Sequence, residues 1–176
     1  MPALPALHVF YGKPGAGKST LAARIAREHG ATLISEDVWM QRLYGDQMHT
    51  FDDYIRCAPK LRSVVGPLAT DLLRAGLPVV LDFQANTRSG RAWFRSVAEA
   101  AGAVAVLHVP DLPDALCMAR IAQRNVERPE GSHEVTPGTY ARVSAYLQPP
   151  DPSEGLRIET HADPERRRPN AQEELR

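Results

Sequence analysis

Residues 11–24 read YGKPGAGKSTLAAR, with three glycines and a proline leading into Lys18-Ser19-Thr20 and then an amphipathic run. From Gly12 to Ser19 the chain satisfies G-x-x-x-x-G-K-[ST] at every fixed position. Upstream, LHVFYG (7–12) is a short apolar run of the kind that forms a strand covered on both faces. Downstream, Leu21, Ala22, Ile25 and Ala26 recur at helical spacing, and Gly30 stands where a helix would end. A buried strand, a glycine-rich turn and a helix in that order make an anion cradle. Glycines let successive backbone N–H groups turn inward, where a Cβ would clash with phosphate oxygens. The helix aims its positive end at the same point. Gly12, Lys13, Pro14, Gly15, Ala16 and Gly17 are therefore expected to hold the phosphates of ATP or another nucleoside triphosphate. Lys18 would reach the β- and γ-phosphates, Ser19 would offer its hydroxyl to Mg²⁺, and Thr20 would bond the α-phosphate.

Working outward, ATLIS (31–35), LPVVLDF (77–83), AVAVLHV (103–109) and LRIET (156–160) read as further strands. Helical periodicity separates them at 50–76, in the run from Ala92 to Gly102, and at 111–125, and it resumes after Thr136. Thr50-x-x-Asp53 is a capping signal, while Pro59, Gly66 and Pro67 mark an expected break or kink. RPEGSHEVTPG (128–138) is too rich in Pro, Gly and Ser to be regular and reads as a mobile lid within about 124–140. Strands alternating with helices imply crossovers and a three-layer α/β domain over residues 1–160, its five-stranded sheet mostly parallel. Residues 161–176 are dense in charge and lack apolar periodicity, the composition of a disordered tail.

The bulk numbers narrow the function. The 176 residues are 43% hydrophobic and 24% charged, with 21 basic and 21 acidic side chains. A zero formal charge gives no global field for a polyanion or a membrane surface, so a nucleic-acid partner is not favoured. Cys57 and Cys117 lack metal-ligand spacing and fit a reducing, cytoplasmic setting. The apolar start carries prolines and no charged n-region, unlike a signal peptide, and no run is long enough to span a membrane.

Ligands of a parallel sheet bind beyond its carboxyl ends. There, Glu36 and Asp37 follow the second strand, either as a proton acceptor facing the γ-phosphate or as ordinary acids at a helix start. Asp82 closes VVLD as a candidate Mg²⁺ ligand or a simple strand-end turn residue. Arg120, Arg124 and Arg128 share one helix face leading into the lid, placed to neutralise a transferring phosphoryl group or to line a solvated face. His133 reads as an exposed polar residue.

Taken together, GKPGAGKST, ISEDVW, VVLDFQANTRSGRAWF and HVPDLPDALCMARIAQRN resemble the small P-loop kinase-like ATP-binding proteins catalogued as AAA-type ATPases. Their relatives include zeta toxins, chloramphenicol phosphotransferase and the kinase half of polynucleotide kinase. The likeness spans about residues 7–160. It implies that Asp37, rather than Glu36, serves as general base toward an acceptor hydroxyl, and that Arg120 and Arg124 contact nucleotide phosphates. The relatives' acceptor-side segment is replaced here by Asn86-Thr87-Arg88-Ser89-Gly90-Arg91, so acceptor recognition does not carry over.

On the acceptor side, Trp39, Tyr54, Arg56, Lys60, Asn86, Arg88 and Arg91 are the candidate wall, against the plainer reading of core aromatics and solvated charges. The expected activity is ATP- and Mg²⁺-dependent phosphoryl transfer to a hydroxyl of a small molecule. A 5′-hydroxyl nucleic-acid kinase is the nearest competitor, and a nucleotide-dependent switch protein the competitor from another class.

Overall fold

The computed structural model describes residues 4–162. Five strands, β1 (Ala6–Phe10), β2 (Thr32–Ser35), β3 (Val79–Gln84), β4 (Val104–Asp111) and β5 (Arg157–Ala162), form one sheet in the order β2-β3-β1-β4-β5. Every pairing is parallel. Six helices connect and cover them: α1 (Lys18–His29), α2 (Glu36–Tyr44), α3 (Phe51–Arg74), α4 (Arg88–Ala100), α5 (Asp114–Glu127) and α6 (Pro137–Ala145). None of the described helices is long and apolar enough to cross a membrane.

β1 is the middle strand because Leu7, Val9 and Phe10 are apolar on both faces and fully buried, as a doubly covered parallel sheet requires. On one face, α3 and α4 lay Leu61, Val65, Phe94 and Val97 over Leu7, Val9, Leu81 and Phe83. On the other, α1 packs Leu21, Ala22 and Ile25 against Phe10 and Val80. The glycine-rich turn therefore leaves the centre of the sheet. Register sets Ser35 beside Asp82, so the acids that follow β2 emerge next to the end of β3.

Two sequence expectations change. The α3 segment is one continuous 24-residue helix with Pro59 and Pro67 inside it. Both prolines lie on the exposed face, so the carbonyls that they free, at Ile55 and Ser63, face water rather than protein. The buried stripe of Ala58, Leu61, Val65, Ala69 and Leu73 then holds the helix through packing. Residues 36–44, without an assigned element from periodicity, form α2, capped where Ser35 Oγ accepts from Val38 N at 3.4 Å. The expected Thr50–Asp53 capping box is present. β5 runs to Ala162, so His161 and Ala162 belong to the sheet; the rest of the expected tail lies outside the described residues.

Arg91, expected on the acceptor wall, is instead fully buried beneath α4. Its Nε and Nη2 donate to the two Glu154 carboxylate oxygens at 2.6 and 2.9 Å. Nη1 donates to Ala85 O at 2.9 Å, and the guanidinium lies 5.7 Å from the Tyr11 ring centroid. It ties the loop before β5 to the end of β3. Glu154→Ala would strand this charge in the core, and urea unfolding should record a loss of about 3–5 kcal/mol with an unchanged m-value.

Candidate active site

The loop between β1 and α1 turns on left-handed glycines, with φ of 74° at Gly15 and 82° at Gly17. A Cβ on Gly15 would run into the Cys117 carbonyl of α5. Glycine there lets α5 lie directly on the loop. A Cβ on Gly17 would sit 3.1 Å from Arg120 Nη1, which places that guanidinium over the start of α1. Gly17 supplies no side-chain cap, so the α1 N-terminus is left for an anion. Asn86 Oδ1 accepts from Gly12 N at 3.0 Å and anchors the entry of the loop.

Lys18 Nζ donates to Gly12 O at 2.8 Å and Lys13 O at 2.7 Å. Burial lowers its pKa to about 8, while Asp82 and Asp37 favour the charged form and Arg124 opposes it. Lys13 turns outward to an ion pair with Asp114, which also accepts from Tyr140 OH at 2.8 Å. Loop, α5 and α6 are thereby joined.

Asp82, at the end of β3, is raised by burial and bonded to the Ser19 hydroxyl. That pairing brings the two expected Mg²⁺ ligands together. Asp37, on the first turn of α2, keeps solvent access, yet enough protein surrounds it for burial to push its pKa up. His133, Arg124 and Lys18 each pull it back. Arg124 Nε is buried without a hydrogen-bond partner. A cation with an unspent donor, sharing the field of Lys18 and Asp37, suits an incoming anion. Arg128, by contrast, is the left-handed cap beyond α5 and points its Nε toward Asn125 O at 3.4 Å.

The lid, residues 128–136, lies against α2. Asn125 clamps its far end, donating to Val135 O at 2.9 Å and accepting from Val135 N at 3.1 Å. Gly131, with φ 77°, has no room for a Cβ: one would stand 2.9 Å from Asp37 C and Val38 N. Glu130 accepts from Arg42 Nε and Nη2 at 2.6 and 3.0 Å. The lid backbone thus covers the α2 turn that carries Asp37.

The acceptor-side expectations separate. Tyr54 lines an open cleft of ≈ 630 Å³ between α3 and α4, together with Arg62, Thr87 and Ser89. Trp39 is half-buried and packs on the core. Arg56 is exposed and bonded to Asp53 Oδ1 at 2.9 Å and Gln47 O at 3.2 Å, and Lys60 is exposed on α3. Arg88 begins α4, with its side chain in the field of Asp151 and Glu154.

Two features escaped sequence reading. His133 is exposed, as expected, but it stands in the field of Asp37. Glu36 is 1% exposed. Burial raises its pKa to about 7 against opposing help from Arg62, the Gln84 backbone and Tyr54. Its Oε1 lies 3.9 Å from Arg62 Nη2, and the Arg62 guanidinium sits 5.2 Å from the Trp93 ring centroid.

A family profile described as an AAA domain matches residues 7–150. No curated protein matches the sequence. Among solved structures, a Chloroflexus aurantiacus protein provisionally described as a kinase is 18% identical with a TM-score of 0.72, covering 92% of this chain and 87% of that one. A sugar kinase from a Janibacter species is 18% identical with a TM-score of 0.61, covering 92% and 86%. The Mycobacterium tuberculosis APS kinase, solved with AMPPNP and APS, is 25% identical with a TM-score of 0.53, covering 77% and 78%.

Glu36 generates a pH prediction. Its folded value near 7 lies above the ordinary 4.5, so the folded chain holds the extra proton between those limits and its stability falls as pH rises through them. Glu36→Gln is spared that fall. In urea melts the variant should gain on the wild type between about pH 5 and about pH 8, by up to about 3 kcal/mol.

Proposed function

This chain belongs to the AAA-domain family of P-loop proteins, and on that premise we propose that it is an ATP- and Mg²⁺-dependent phosphotransferase acting on a hydroxyl of a small molecule. The carrying observation is the Asp37 carboxylate, held in the common field of Lys18 and Arg124 beneath the lid. A protein that only hydrolysed ATP as a timer would have no need of an acceptor cleft, or of a lid resting on the turn that carries this carboxylate.

The loop amides and Lys18 bind the β- and γ-phosphates, and Arg120 and Arg124 close over them from α5. Ser19 and Asp82 offer hard oxygen ligands suited to Mg²⁺ and would hold it. When bound, that ion neutralises charge on the β- and γ-oxygens. Asp37 accepts the proton of the acceptor hydroxyl and aims its oxygen at the γ-phosphorus. The new O–P bond forms as the β–γ bridging bond breaks, and ADP leaves with the electron pair.

The cleft beside Tyr54 and Arg62 neighbours Glu36 through Tyr54 and gives the acceptor a largely apolar, aromatic-edged seat with a few polar groups. Structural neighbours named sugar kinase and APS kinase fit a hydroxyl-bearing small acceptor. Cys57 and Cys117 are free, buried thiols, which supports a cytoplasmic setting.

The test is transfer of label from γ-labelled ATP into a pooled panel of metabolites, antibiotics and oligonucleotides, compared with Asp37→Ala. Label should enter a small molecule, and the variant should lose about 10²–10⁴-fold in kcat while holding nucleotide about as tightly. Label released only as inorganic phosphate, equally by both proteins, would overturn the reading, and label in oligonucleotides would move it to the nucleic-acid kinase.

A further inference from the structure

The sheet face under α1 carries histidines where apolar side chains would ordinarily meet the helix. His8 of β1 and His108 of β4 are 3% and 2% exposed. Parallel register pairs His108 with Glu159, and strand alternation puts His161 on the same face of β5 as Glu159. His108 Nδ1 lies 2.8 Å from His161 Nε2 and 3.7 Å from Glu159 Oε2.

We propose that His108, Glu159 and His161 bind one divalent transition ion of the zinc class, which clasps edge strand β5 to β4. Their ligand atoms all lie within 4.8 Å of one another. A tetrahedral ion with bonds of about 2.0–2.1 Å keeps its ligand atoms roughly 3.3 Å apart, between the two separations above. Two imidazoles and a carboxylate select such an ion over Mg²⁺, which takes oxygen ligands. The site is therefore chemically distinct from Ser19 and Asp82.

The surroundings orient each ligand as a metal site requires. His108 Nε2 lies 2.9 Å from His8 Nδ1, so an Nε2–H donated to His8 leaves the Nδ1 lone pair aimed at His161 and Glu159. Arg157 Nη2 donates to Glu159 Oε1 at 2.7 Å and so presents Oε2 inward. Glu159, 39% exposed at its side chain, opens the site to solvent for entry and for a fourth ligand. A stack of hydrogen-bonded imidazoles alone would give Glu159 no part.

The test uses the full chain, freed of any histidine tag and stripped by chelator, with no nucleotide present. Calorimetric titration with ZnCl₂ should show one ion per chain, and the melting temperature should rise with Zn²⁺ but not with Mg²⁺. Co²⁺ in place of Zn²⁺ should give the strong visible bands of a tetrahedral site. His161→Ala and the shape-preserving Glu159→Gln should each weaken Zn²⁺ binding by at least about 10-fold while melting cooperatively. Absence of stoichiometric uptake would overturn the proposal. So would uptake that survives both substitutions, or a weak octahedral Co²⁺ spectrum marking adventitious binding.

Discussion

A half-buried ammonium organises this molecule. Burial lowers the Lys18 pKa to about 8, and the neighbouring Asp82 and Asp37 favour its charge while two loop carbonyls accept its hydrogen bonds. A lone charge in that setting would cost several kcal/mol. The compensation arrives from three separate strand ends. β1 delivers the loop, β3 delivers Asp82, and the β2–β3 register brings the turn bearing Asp37 alongside. If β2 slipped by one residue, Ile34 would lose its buried face and the turn bearing Asp37 would shift away from Asp82, so both site and core would be lost. Fold and charge arrangement are thus one constraint.

How much of this was readable from sequence depends on how local each signal is. The G-x-x-x-x-G-K-[ST] turn is decided by adjacent residues, and the strand–helix alternation by patterns a few residues long. Both are therefore visible in the chain itself, as is the Thr50–Asp53 cap. The failures all involve partners far away in sequence. Pro59 and Pro67 looked like breakers because their harmlessness depends on which side of α3 faces water. Arg91 looked like a ligand-binding cation because its partner, Glu154, lies 63 positions further on. Glu36 read either as a proton acceptor or as an ordinary helix-start acid, and nothing near it announces Arg62 or Tyr54. His161 looked like the start of a tail because its neighbours in space are on β4 rather than in the charged stretch that follows.

The same distinction explains why the phosphate side is better specified than the acceptor side. Phosphate recognition rests mainly on backbone amides and on a few cations at fixed offsets from glycine. On the proposed reading, recognition of an acceptor would rest on side chains gathered from α3, α4 and the turn after β3, several of which have an alternative structural use. Trp39 packs on the core, Arg56 caps α3 through Asp53, and Arg91 braces Glu154. What remains around the cleft is a short polar set, Tyr54, Arg62, Thr87 and Ser89, among the apolar Ile55, Ala58, Pro59 and Trp93, with Tyr54 and Arg62 joining it to the buried Glu36.

On the proposed reading, the lid gives a physical reason for transfer to favour an alcohol over water. Its glycine, Gly131, rests on the backbone of Asp37 and Val38, and Arg124, at the end of the helix that leads into it, shares the field of Lys18 and Asp37. Closure, phosphate contact and base placement are consequently linked through one short segment. Anything that seats beside Asp37 and packs under the lid stabilises the closed arrangement by its own contacts, and water has too few of those to contribute. The binding energy of a hydroxyl-bearing acceptor would then serve to hold Arg124 and Asp37 in register during transfer. Selectivity against hydrolysis then follows from the close fit of lid backbone to α2, which only a residue without a Cβ at position 131 allows.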